Sequence, residues 1–253
     1  MITSEIRVLS ALSMEQRSVK ELAETIGSSY TRTTEVVKAL IQKGFLTRSD
    51  TQVRLADSLH AVLFRKLSAK YDMVKLLGGS REEVALALPD DEDIKGLQER
   101  TGLTYWTIRR DLNRMMETGA VRERKRRYYL ADDEDLRLFL RSWREARERR
   151  LVEPYAEVIS ASQEIVLKKV PRGRPAKGSL TSFSAFPAYG VELRSIYDYY
   201  VQPEQQPILE EVLVHAIASS TGPLELTDCA ILLAKNLDRL DLGRAREAAR
   251  RLG

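Results

Sequence analysis

The chain has 253 residues, 43% of them apolar, with 41 Lys and Arg against 37 Asp and Glu for a net charge of +4. That length suits two or three small domains, each with its own core, and no run is long and apolar enough to span a bilayer. A single cysteine, Cys229, rules out an intrachain disulfide, and with His60 and His215 as its only companions a Cys/His zinc site lacks ligands. The first residues, Met1-Ile2-Thr3-Ser4-Glu5, show no basic-then-apolar leader. The expectation is a cytoplasmic protein without metal or cofactor.

In chain order, Ser18 caps a short helix, with Glu21 placed for a capping box. Gly27 supplies the positive φ of a tight helix exit. Ser29 caps a longer helix whose Val36, Val37, Leu40 and Ile41 form one apolar stripe, and Gly44 ends it. A hairpin follows, Phe45–Arg48 with Gln52–Leu55. Residues 57–79 read as a further helix through Leu59, Val62, Leu63, Leu67 and Tyr71, with His60 solvated or capping near its start.

Sliding the sequence by 75 positions brings a second copy into register without a gap. Lys20/Lys95, Leu22/Leu97, Glu24/Glu99, Gly27/Gly102, Tyr30/Tyr105 and Gly44/Gly119 are identical. Asp93 and Thr104 cap the two helices of this copy. Ile108, Leu112, Met115 and Met116 form its stripe, and Ala120–Arg124 pairs with Arg127–Leu130. Between Tyr105 and Tyr128 stand eight cations and three acids, a density that suits a polyanion-binding face or an Arg-rich solvated one. A helix over 132–158 then opens on four acids and carries Leu136, Phe139, Leu140, Trp143 and Ala146 inward, with Pro154 bending or ending it. Its stripe serves either dimerisation or packing on its own domain.

Past Ser160 the texture changes. "EIVLKKV" and "SLTSFSAF" read as strands, "YGVELRSIYDYYVQP" as extended chain, and "PILEEVLVHAIAS" as a helix with Pro207 in its first turn. Thr227 and Asp241 cap two further helices. Between the first two strands lies "VPRGRPAKG" (170–178). Its Arg172-Gly173-Arg174-Pro175 core resembles an AT-hook, which lies in the minor groove, but the flanking strands favour a basic hairpin tip making an auxiliary DNA contact. Ser182, Ser184, Asp198 and His215 lack any catalytic motif context, so no enzyme is expected.

Each repeat copy resembles the winged helix-turn-helix unit of prokaryotic regulators of the ArsR and MarR type, over roughly residues 3–57 and 80–131. Gln98, where the first copy has Ala23, departs from the small residue usual at that helix crossing. The resemblance implies a mainly α fold with small β wings. Two tandem winged helix-turn-helix domains, 1–79 and 80–158, would precede a small α+β domain, 159–253, for sensing, dimerisation or partner binding.

The resemblance further implies that the second helix of each unit enters the major groove of double-stranded DNA. In the second copy this exposes Thr104, Tyr105, Trp106, Thr107, Arg109, Arg110, Asn113 and Arg114. Arg suits guanine, Asn adenine, and the hydroxyls phosphate. The wing adds Arg122, Arg124, Lys125, Arg126 and Arg127. In the first copy the corresponding face holds Ser28, Tyr30, Thr31, Arg32, Thr34 and Lys38, above a wing without cations at its tip, so protein contact stands beside DNA contact there. A winged-helix start with an α+β end is also similar to AbiEi-type antitoxins. That likeness implies a protein partner for the C-terminal part as the alternative. A homodimer and the absence of a membrane partner complete the expectation.

Overall fold

Element boundaries repeat at the spacing seen in the sequence. The computed structural model describes residues 1–88, 92–162 and 164–252. The series α1 (Thr3–Ala11), β1 (Arg17–Ser18), α2 (Val19–Ile26), α3 (Tyr30–Gln42), β2 (Leu46–Ser49), β3 (Gln52–Leu55) and α4 (Leu59–Ser68) comes first. After α5 (Met73–Leu77) it returns, with the single antiparallel bridge Glu92–Tyr128 in the place of the β1 pair Arg17–Val53, as α6 (Arg81–Ala87), α7 (Ile94–Thr101), α8 (Tyr105–Met116), β4 (Val121–Arg124), β5 (Arg127–Leu130) and α9 (Glu134–Arg149). At both ends α7, β4 and β5 lie 75 residues beyond α2, β2 and β3. About 54% of the chain is helical with small antiparallel sheets, so the class is mainly α with small β.

Local chemistry explains the shared boundaries. Glu21 N donates to Ser18 Oγ at 3.3 Å and Ser18 N to the Glu21 carboxylate at 2.7 Å, which closes the capping box at α2. Asp93 accepts from Gly96 N at 2.8 Å in the same role at α7. Both helices exit through a glycine at φ 65°, Gly27 and Gly102, a conformation costly for any side chain. Ser29 and Thr104 then cap α3 and α8 through the amides of Arg32 and Thr107.

Both copies share one core. It joins Leu22, Val37, Leu40 and Phe45 to Leu97, Ile108, Leu112 and Val121, with Phe64, Phe139 and Trp143 of the trailing helices between them. Met1–Arg147 is therefore one compact unit, and Glu148–Gly253 the other. Several details differ from expectation. Ile41 is 37% exposed, and Thr33, the counterpart of Ile108, takes the buried place instead. Residues 57–79 break between α4 and α5, where the Asp72 carboxylate accepts from the amides of Val74 and Lys75. Leu59 and Val62 face outward, whereas His60 is buried, 4.6 Å from the Phe45 ring and 5.5 Å from Trp143. The apolar stripe of α9 is covered by α4 and α6 of the same chain, through Phe64 against Phe139 and the Trp143 indole N–H donating to Glu82 at 2.6 Å.

The second unit is α+β. Strands β6 (Glu157–Ala161), β7 (Val166–Pro171), β8 (Ser179–Leu180) and β9 (Tyr197–Gln202) form an antiparallel sheet in the order β6-β7-β9-β8. Helices α10 (Leu209–Ser219), α11 (Pro223–Lys235) and α12 (Leu242–Leu252) complete it, with α10 central to their core. The strand expected over "SLTSFSAF" is only two residues long, and Ser182–Tyr189 is a 3₁₀ helix. The cause is local: Ser184 Oγ accepts from Tyr199 N at 2.9 Å, which removes the backbone donor a longer β8 would need. Thr227 lies inside α11, whose start is set by Pro223 and by the Glu225 carboxylate accepting from Gly222 N. Nor is 172–178 a hairpin tip. β7 and β8 both run antiparallel to β9 and flank it, so the segment is a crossover between two parallel strands with β9 between them.

Candidate nucleic-acid interface

Helix α8 is held from behind and bare in front. Its buried Asp111 accepts from Ser80 Oγ and pairs with Arg81 at 3.7 Å, which fixes the rotation of the helix. Ile108, Leu112 and Met115 fill the core. That leaves Thr104, Tyr105, Trp106, Arg109, Arg110, Asn113 and Arg114 exposed and Thr107 half-buried, so the expected face forms a contiguous row. Trp106 is 76% exposed, a large apolar surface for a helix otherwise polar on this side. Tyr105 stands edge-on to it, and the Tyr105 hydroxyl accepts from Arg109 Nη1 at 2.9 Å.

The adjoining hairpin is built against its own stability. Its two-residue turn places Lys125 at φ 54° and Arg126 at φ 63°, positions where Asn and Gly are favoured. Arg124 stands directly opposite Arg127, a like-charged cross-strand pair. Arg122, by the same alternation, shares their face, and its partner Tyr129 adds an aromatic residue that sequence reading missed. The odd-even parity of "RERKRRYY" was the signal available for it. Hairpin and helix are neighbours: burial pushes the Tyr128 hydroxyl pKa up, Glu123 adds to this, and nearby Arg109 opposes it. Of the three acids in this stretch, Asp111 is buried and engaged by Arg81 and, at 3.4 Å, by Arg110, and Glu117 is paired with Lys75 at 2.9 Å.

The first copy presents Tyr30, Thr31, Arg32 and Lys38 as exposed, with Ser28 and Thr34 half-buried. The Thr34 hydroxyl is turned back onto Tyr30 O at 2.9 Å. Its hairpin tip, Asp50-Thr51, has no cation, and Arg48 folds onto Asp50 O at 3.0 Å.

In the other unit, Arg172 and Arg174 are exposed but tied down. Arg172 N donates to Ile196 O at 2.9 Å, and the Arg174 guanidinium lies 5.7 Å over the Tyr155 ring. Lys177 N donates to Glu153 at 2.7 Å. An AT-hook's extended, untethered geometry is absent from this crossover.

Buried Thr181, Ser182, His215 and Ser219 form a polar cluster, with Thr181 Oγ1 at 2.7 Å from His215 Nδ1. Among the described residues no group of three His, Cys, Asp or Glu is placed to hold a metal, and no helix is long and apolar enough to cross a membrane. No family model, curated protein or solved structure matches the chain.

Proposed function

We propose that the chain is a sequence-specific transcriptional regulator of double-stranded DNA, built on two tandem winged helix-turn-helix units. The observation that carries this reading is the wing. Five cations occupy one hairpin, two at left-handed backbone positions and two directly opposed, beside an uncovered helix bearing Arg109, Arg110, Asn113 and Arg114. Such local cost is retained where a function uses it. α8 enters the major groove, the wing grips phosphates, and affinity falls steeply with salt.

The test is a double substitution, Arg109→Ala with Arg110→Ala. It abolishes preference for the selected DNA sequence while circular dichroism and melting remain those of the parent. Undiminished sequence preference would sink the assignment.

A protein partner for the Glu148–Gly253 unit is the second reading. It is favoured by the exposed Leu224, Leu226, Ile231 and Leu237 along and just beyond α11. Leu224→Lys with Ile231→Lys then releases a stoichiometric partner from the purified complex.

A further inference from the structure

Two pairs of residues one 75-residue repeat apart lie side by side. Phe64 and Phe139 pack with ring centroids 6.2 Å apart. Thr3 Oγ1 lies 3.6 Å from where a Cβ on Gly78 would stand. If the copies were related by translation, every residue would sit a domain's width from its counterpart. Between two compact globular copies, contact between counterparts places them beside a rotation axis.

The trailing helices give the angle. His60 meets Trp143 at 5.5 Å, Phe64 meets Phe139, Lys66 meets Asp135 at 2.7 Å, and Lys70 meets Asp133 at 2.5 Å. As numbers rise along α4 they fall along α9, so equivalent helices run antiparallel about their equivalent phenylalanines. That reversal is a half-turn, and the contact is isologous, as between subunits of a two-fold dimer.

We infer that Met1–Arg147 is a single-chain pseudo-dimer whose DNA target is an imperfect inverted repeat, one chain per site, with α8 in one half-site and α3 in the other. The inference rests on the proposed reading of α3 and α8 as recognition helices. A two-fold protein matches inverted half-sites, because the duplex carries the same symmetry there. The half-sites are unequal. Thr47, Ser49, Asp50, Thr51 and Gln52 stand where the second copy has Arg122, Arg124, Lys125, Arg126 and Arg127. The α8 half-site therefore carries most phosphate contacts.

The experiment selects duplexes from a random library with the full chain, then weighs the complex by native mass spectrometry. Expected is an enriched inverted pair of related half-sites bound by one chain, with at least a tenfold loss of affinity when one half-site is flipped into a direct repeat. A direct repeat, a single half-site, or two chains on one inverted repeat overturns the pseudo-dimer and leaves DNA recognition standing. Enrichment of no sequence overturns both.

Discussion

Lys168 and Glu153 form an ion pair at 2.6 Å in which the lysine side chain has no solvent exposure. Glu153 Oε1 also accepts from Lys177 N, so one carboxylate fastens both β7 and the 172–178 crossover. Burial pushes the Glu153 carboxyl pKa up, but the bonds from Lys168 and Lys177 outweigh it and hold it below its ordinary value. A depressed carboxyl contributes stability that is present above its unfolded pKa of about 4.5 and lost as pH falls through the folded value.

Glu153→Gln strands a buried ammonium and costs about 3 kcal/mol in chemical denaturation. The double variant with Lys168→Met recovers much of that loss, since it removes the stranded charge. A double variant as unstable as the single one contradicts this account.

The wing turn predicts a trade. Lys125→Asn with Arg126→Gly relieves two left-handed side chains and raises stability by about 1–2 kcal/mol. Under the proposed function the same variant binds DNA more weakly, with a salt dependence shallower by up to about 2 in log–log slope. Titrations at several salt concentrations, beside a thermal melt, read both effects. Gain in stability with unchanged DNA affinity argues against phosphate contacts at the tip.

His215 is buried and its pKa is lowered to about 4, first by desolvation and then by nearby Arg251. The unfolded chain takes up this proton first, so stability falls as pH drops from about 6.5 to about 4, by up to about 3 kcal/mol. His215→Gln retains a polar group for Thr181 and flattens the dependence between pH 4.5 and 6.5. Denaturant midpoints across that window measure it; parallel profiles for both proteins refute it.

Thr33 is fully buried, and its hydroxyl has no hydrogen-bond partner in the described structure. Thr33→Val removes the unsatisfied group at nearly constant volume and stabilises by about 1 kcal/mol. A lower urea midpoint for Thr33→Val disproves the assignment.

Much of the Met1–Arg147 unit was legible because its signals are local. Capping at Ser18, Ser29, Asp93 and Thr104 and the paired glycines gave the helix ends, and the 3.6-residue period of α8 separated Ile108 and Leu112 from the arginines. The antiparallel pairing of α4 and α9 was not legible, since periodicity shows that a stripe is buried but not by what. His60 looked polar and is enclosed by Phe45 and Trp143, a contact between distant segments. Lys125 and Arg126 gave no turn signal because Asn or Gly normally marks that conformation. β8 was overextended because Ser184 competes for Tyr199 N through a side chain, which strand propensity does not register.

Asp50 and Lys125 occupy equivalent hairpin tips with almost the same backbone angle, φ 52° and φ 54°, and opposite charge. Two identical subunits could never differ in this way, because each change in one would be imposed on the other. Joined in a single polypeptide, the halves are released from that constraint. One tip has gathered cations, and its twin is at liberty to carry a different charge.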